Sequence, residues 1–252
     1  MRRALLGKDT PSAAYGVLNV GTSLKHLRRY KEAQEKYLYA MELAKAGGND
    51  RLVATVLNNL GALRKTLNDA RGAENFDRQA LELRRRLFGN EHLDVAQSLN
   101  NLAVSLSQQK KYDQAEELLR ECLKIQTAIV GPKNKLVGMT LRNLADNLLN
   151  QDADDAEALD LITESYALLR EVAPPGETWR TKAALTLSKL LLTRGRTPDA
   201  EAPLMECAAH LDQMELADRR SAMAHLIEFY KATGDEVQAQ IWKTKSQTLS
   251  RE

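Results

Sequence analysis

Apolar residues recur three and four positions apart through most of the chain. Leu99, Leu102, Ala103 and Leu106 set one such series, and Ala115, Leu118, Leu119, Cys122 and Leu123 the next. That spacing places one apolar stripe on each of two consecutive helices. The polar break between them, Lys110-Lys111-Tyr112-Asp113, predicts a short turn. Gly47-Gly48, Gly89-Asn90, Gly131-Pro132 and Pro174-Pro175-Gly176 predict the ends of the second helices. Thr197-Pro198-Asp199 reads as an N-cap followed by proline at the first helical position, where its missing N–H costs nothing. Pro203, inside the fifth second helix, predicts a kink or a weakened helix.

The two-helix pattern repeats. Leu57-Asn58-Asn59-Leu60-Gly61 returns 42 residues later as Leu99-Asn100-Asn101-Leu102-Ala103, and after another 42 as Leu141-Arg142-Asn143-Leu144-Ala145. A weaker copy, Val17-Leu18-Asn19-Val20-Gly21, precedes them. The alanines that open the second helices, Ala33, Ala73, Ala115, Ala158, Ala200 and Ala239, stand 40, 42, 43, 42 and 39 residues apart. Six units result, with approximate boundaries 13–48, 53–90, 95–132, 137–174, 179–214 and 217–250 in a single array spanning 1–252. A helix pair of this length covers only part of its apolar stripe, and stacking on the next pair covers the remainder.

Leu-Asn-Asn-Leu-Ala on the first helix, Lys-Tyr-Asp-Gln-Ala-Glu at the turn, and glycine after a long second helix together resemble the tetratricopeptide repeat. The period of about 42 is similar to the kinesin-light-chain subtype. The resemblance covers nearly the whole chain, is specific from Thr55 to Leu144, and loosens after Asp152, where Ala184-Leu185-Thr186-Leu187 replaces the asparagine pair. It implies an all-α fold, an α-solenoid of about six antiparallel helix pairs forming a right-handed superhelix. Arg2-Arg3-Ala4-Leu5-Leu6-Gly7 aligns with Arg84-Arg85-Arg86-Leu87-Phe88-Gly89, so residues 1–12 read as the tail of a preceding repeat, and the chain is expected to be either the C-terminal part of a longer array or a protein that has lost its upstream portion. Apolar surface around Tyr15, Val17 and Leu24 is then expected to lack a neighbour, and homo-association through that end follows as an expectation.

Composition agrees with an all-α chain: 43% hydrophobic and 28% charged, but only 5% aromatic. With 36 basic and 34 acidic residues the net charge is +2, too small for a whole-protein field that gathers nucleic acid or an anionic membrane. The apolar stretch near the N-terminus is too short for a signal-peptide core, and a cytoplasmic location is expected. Cys122 and Cys207 occupy the same small position two units apart and are expected to be core thiols. Asp152, Asp154 and Asp155 lack the glycine and the terminal glutamate of a calcium loop. The dispersed histidines His26, His92, His210 and His225 join no nucleophile motif, so neither enzyme activity nor a cofactor is expected. Trp179 and Trp242 are expected to pack in or beside the core.

Candidate chemistry lies on the first helices. Asn19, Asn59, Asn101 and Asn143 are equivalent residues, disfavoured in a helix interior by up to roughly 0.7 kcal/mol relative to alanine. A primary amide both donates and accepts, which suits it to gripping an extended peptide backbone and equally to bonding a neighbouring helix. Lys25, Lys65, Arg142, Lys182 and Lys189 lie at nearby positions; they read either as the ordinary charges of a solvated helix face or, as the resemblance implies, as acceptors of acidic groups. The expected function is a protein-interaction scaffold or adaptor that binds a peptide segment or partner helix of a protein or peptide partner in its concave groove, with no nucleic acid and no membrane as partner. The alternative is a regulatory or sensory segment of a larger signalling protein.

Overall fold

The computed structural model describes residues 10–151 and 155–249, and these fall into two compact units that divide between Ile129 and Val130. Met1–Gly7, aligned above with a preceding repeat, and Asp152 and Asp154 lie outside the described residues. Among the described residues there are twelve α-helices, one 3-10 turn at Leu211–Gln213, and no strand. The first unit contains α1 (Thr10–His26), α2 (Tyr30–Ala46), α3 (Asp50–Thr66), α4 (Ala70–Phe88), α5 (Leu93–Ser107) and α6 (Tyr112–Val130). The second contains α7 (Lys135–Leu149), α8 (Asp155–Val172), α9 (Thr178–Thr193), α10 (Thr197–Ala209), α11 (Leu216–Ala232) and α12 (Glu236–Leu249).

Each unit is a stack of three antiparallel helix pairs. In the first, α1 packs on α2, α3 on α4, and each pair joins the next through α2 with α3 and α4 with α5. The first helices also adjoin one another, α1 with α3 and α3 with α5; α7 with α9 and α9 with α11 do the same in the second unit. The α-solenoid expected from the sequence is therefore present in each unit.

Five of the turns within pairs share one backbone solution. Arg28, Asn68 and Lys110 have φ of 58°, 58° and 61°, and Gly195 and Gly234 have φ of 69° and 80°. In each case the following N–H reaches back five residues: Arg29 to the Leu24 carbonyl, Asp69 to Arg64, Lys111 to Leu106, Arg196 to Leu191 and Asp235 to Tyr230, at 2.9–3.0 Å. This is the left-handed helix stop that satisfies otherwise orphaned carbonyls. Side chains cap several first helices: Asn49 Oδ1 accepts from Leu52 N–H at 3.0 Å and Asn134 Oδ1 from Leu136 N–H at 2.9 Å. Thr197 corrects the sequence reading. It is the first residue of α10, and Arg196 holds the cap position with no side-chain bond to the helix. Pro203 lies within α10, which at 13 residues is the shortest of the second helices.

Small residues let the helices approach. Ala40, Ala80, Cys122, Ser165 and Cys207 occupy one repeat position, and none has any exposed surface. Where that residue has a donor it bonds a first-helix carbonyl: Cys122 Sγ to Ala96 O at 3.1 Å, Ser165 Oγ to Gly138 O at 2.7 Å, and Cys207 Sγ to Thr181 O at 3.7 Å. Both cysteines are free and buried. Around them Leu52, Leu60, Leu63, Leu99, Leu102 and Leu106 fill the first unit, each contributing about 1.5–3 kcal/mol by leaving water. Leu144, Ile162, Leu169 and Leu204 are their counterparts in the second.

The apolar surface expected on α1 is differently composed. Leu24 is buried and Val17 packs against the core, because both share the stripe that carries Ala14 and Leu18. Tyr15 and Val20 are the large apolar residues α1 leaves exposed, and Leu27, in the turn that follows, is exposed as well. Trp179 and Trp242 are half-buried against the second unit's core.

Candidate functional site

In the first unit, Asn19 on α1, Asn59 on α3 and Asn101 on α5 hold one register on adjoining helices. Asn19 is exposed, Asn59 and Asn101 are half-buried, and no side-chain hydrogen bond links any of these three amides to another described residue. Their neighbour Asn58 behaves in the opposite way. It is buried, and its amide oxygen accepts from the Arg84 guanidinium at 2.7 and 3.2 Å. Arg84 also donates to Asp94 O at 2.8 Å, Gln97 Oε1 at 3.0 Å and Ser98 Oγ at 3.1 Å. Of the two adjacent asparagines, Asn58 fastens α3 and α4 to α5, and Asn59 is left available.

The cations divide in the same manner. Lys65 is nearly buried, with its ammonium donating to Asp77 Oδ2 at 2.8 Å, Asn101 O at 3.1 Å and Ser105 Oγ at 3.3 Å. Ser105 Oγ donates to the same Asp77 oxygen at 2.6 Å. Lys65 thus joins α3, α4 and α5 and is not an open cation. Lys25, by contrast, is half-buried and makes no ion pair or hydrogen bond to a described residue. Burial, and then the like charge of Lys65, hold its pKa below the ordinary lysine value.

In the second unit, Asn143 is buried and accepts from Arg142 at 3.2 Å. Arg142 also pairs with Asp146 and lies over the Trp179 ring, 5.7 Å from its centroid. Thr186 Oγ1 on α9 donates to Asp146 Oδ1 on α7 at 3.1 Å. Burial pushes the Asp146 carboxyl up, against the opposing pull of Arg142, Thr186, Lys189 and Lys182. Lys182 lies 3.5 Å from Asp218 and 4.0 Å from Glu215. Lys189 is exposed and forms no ion pair with a described residue. Of the nine candidates, the structure therefore leaves Asn19, Asn59, Asn101, Lys25 and Lys189 open, and commits Asn143, Lys65, Arg142 and Lys182 to contacts within the chain. Among the described residues no group of three or more His, Cys, Asp or Glu side chains could hold a metal ion.

The tetratricopeptide-repeat profile matches residues 11–86, 53–128 and 94–171, well over half of the chain. The chain belongs to the tetratricopeptide-repeat family. Solved structures with the same fold include the nearly identical repeats of a kinesin light chain from Podosopora anserina. These are 17% identical, cover 79% of this chain and 94% of that one, and have a TM-score of 0.64. PilF of Pseudomonas aeruginosa is 18% identical over 96% of this chain and 94% of its own, with a TM-score of 0.67. A Rap protein solved with Competence and Sporulation Factor is 13% identical over 94% and 75%, also at 0.67. At these identities the likeness establishes the fold. No curated protein sequence matches the chain.

Within this tetratricopeptide-repeat protein, the sequence pattern missed Asp77, Arg84 and Asn58, which bind the pairs together. A signal for one of them was present. Gly61 in a helix interior costs about 1 kcal/mol relative to alanine, and the structure places the Asp77 carboxylate where a Cβ on this residue would stand. No described helix is long and apolar enough to cross a membrane.

Proposed function

We propose that this tetratricopeptide-repeat protein is a non-enzymatic interaction scaffold that holds a peptide segment along the wall formed by α1, α3 and α5. One observation carries the reading. Asn19, Asn59 and Asn101 are equivalent amides on adjoining helices with no hydrogen-bonding partner among the described residues, whereas the adjacent Asn58 is fully engaged. Amides that disfavour the helix and stabilise no packing are explained by a backbone supplied from outside. The similar Rap protein is solved with Competence and Sporulation Factor, which accords with a bound segment. A cytoplasmic site of action fits the same reading.

Selection of random displayed peptides on the wild type, counter-screened on Asn59→Ala/Asn101→Ala, tests this. Enriched peptides should bind the wild type and fail on the double variant, whose circular dichroism and melting remain unchanged. Loss of the fold in the double variant would instead return these residues to a packing role.

A second reading, self-association through α1 and the turn after it, is favoured by the exposed Tyr15 and Val20 on the helix and Leu27 in the turn. Sedimentation that gives a monomer at high concentration removes it.

A further inference from the structure

Eight residues after the alanine that opens each second helix stand Met41, Leu81, Leu123 and Tyr166 in the first four pairs, and Ala208 in the fifth. Where the large residue gives way to alanine, the second unit carries a cleft of about 480 Å3. Ala208 lies in its wall with Leu211, just beyond the end of α10, and Trp242 of α12; the buried Met223 of α11 and Leu249 of α12 complete its apolar part. Trp242 stands where the earlier second helices have Lys36, Phe76, Leu118, Leu161 and Pro203. Even this larger ring leaves the space open.

The charges of the cleft are not matched within the chain. Arg219 of α11 donates from Nε to Leu211 O at 3.0 Å, and from Nη2 to Asp212 O at 3.2 Å and Met214 O at 3.5 Å. Those bonds fix the guanidinium against the 3-10 turn, but they go to neutral carbonyls, leave Nη1 unengaged, and bring no described carboxylate to it. Lys245 of α12 lies 4.2 Å from the centroid of the Trp242 ring and pairs with no described acid. Asp212 also lines the cleft, yet its carboxylate forms an ion pair with neither cation. A groove of about 500 Å3 beside Leu81 is lined by arginines too, but there Arg78 is paired with Glu74 and Arg85 with Glu121, each at 2.8 Å. Two cations held in place without acids, beside an apolar wall, are the complement of a molecule with an anionic end and an apolar body.

Size and wall chemistry narrow the class. The volume falls within the roughly 300–1,000 Å3 of small-molecule sites, and a bare inorganic anion would leave the apolar wall unused. Trp242 and the Met223 thioether favour a ring over an aliphatic chain. We propose that the cleft bounded by α10, α11 and α12 binds a small aromatic carboxylate, with the carboxylate on Lys245 and the free Nη1 of Arg219 and the ring against Leu211, Met223 and Trp242. The site lies wholly in the second unit and does not depend on the α1–α3–α5 wall.

The test is isothermal titration of the full chain with 2-naphthoate and with its neutral counterpart 2-naphthamide. The naphthoate should bind at one site with a Kd of about 1 mM or tighter, and about tenfold or more tighter than the amide, as a charge-assisted contact requires. Lys245→Gln should bring the acid down toward the amide, and Lys245→Arg should retain most of the difference. Ala208→Leu, which restores the leucine that two other pairs carry here, should fill the cleft and abolish binding of both compounds. Asn59→Ala/Asn101→Ala and Lys189→Gln should bind the naphthoate as the wild type does, with circular dichroism confirming each fold. Absence of naphthoate binding, equal binding of acid and amide, binding that survives Ala208→Leu, a preference that survives Lys245→Gln, or loss in either control overturns the assignment. Displacement of the naphthoate by inorganic phosphate at equal concentration marks an unselective anion site and overturns it as well.

Discussion

Lys65 Nζ lies 2.8 Å from Asp77 Oδ2, in a contact that joins the last turn of α3 to the middle of α4 with no solvent on the carboxylate. Ser105 of α5 donates to the same oxygen, so one ion pair fastens two helix pairs. Such a pair is weak evidence of net stabilisation, yet removing one member strands the other charge. Lys65→Met is expected to cost about 3 kcal/mol or more in urea unfolding, because Asp77 is left buried with its counter-ion gone. Lys65→Met/Asp77→Leu should recover a large part of that loss. A double variant as unstable as the sum of the singles would show that the two residues are not coupled.

Two glycines in first helices should respond to alanine with opposite signs. Gly16 in α1 has open space where a methyl group would stand, with no atom within 4 Å, so Gly16→Ala gains helix propensity, about 1 kcal/mol. Gly61→Ala drives a methyl into the Asp77 carboxylate, which its ion pair with Lys65 holds in place. The expected result is destabilisation despite the better propensity, and denaturant midpoints of the two variants compare them directly.

Left-handed turns give a third prediction. Arg28 and Lys110 adopt φ of 58° and 61°, where a Cβ costs roughly 1–2 kcal/mol. Arg28→Gly and Lys110→Gly should each stabilise by about 0.5–1 kcal/mol after the added freedom of the unfolded chain is subtracted. Asn68 tolerates this region better, and Asn68→Gly should gain less. Thermal melts of the three variants rank them.

His225 links stability to pH. Burial, then the charge of Lys189, lowers its pKa below 6.5, so the folded state resists protonation that the unfolded chain accepts. The unfolded state binds more protons between the two values, and stability rises with pH there. Its contribution is complete above about pH 6.5 and is lost as the pH falls from that value toward the depressed folded one. A pH series of melting temperatures should show this slope in the wild type and a flatter one in His225→Gln.

The cysteines report on the units separately. Burial, followed by the charges of Glu206 and Asp218, pushes the Cys207 thiol up to about 12, and both Cys122 and Cys207 are enclosed. Neither should react with a thiol reagent in the folded protein, and each should label only when its own unit opens. Mass spectrometry after pulsed alkylation at increasing urea would resolve the two transitions. Prompt labelling of either residue in native buffer would contradict the packing described above.

Much of this architecture was legible in the letters alone. The three-and-four spacing, the returning Leu-Asn-Asn-Leu and the alanines near every 42nd residue depend on local helix geometry and on contacts between equivalent positions, which a repeating sequence displays openly. The buried state of Cys122 and Cys207 followed from the same register. Which of two adjacent asparagines faces inward did not, because a rotation of about 100° separates Asn58 from Asn59, and only the packed position of Arg84 decides between them. Nor did the sequence distinguish Lys25 from Lys65, identical letters in equivalent last turns. The distinction lies twelve residues further on, where the second helix brings Tyr37 to one lysine's side of the pair and Asp77 to the other's. The repeat pattern alone determined that helix pairs would stack and where their turns would fall, because those depend on periodicity. Tertiary structure decided which polar groups are used up inside the stack and which stay open, because that depends on the side chains neighbouring helices bring to each seam.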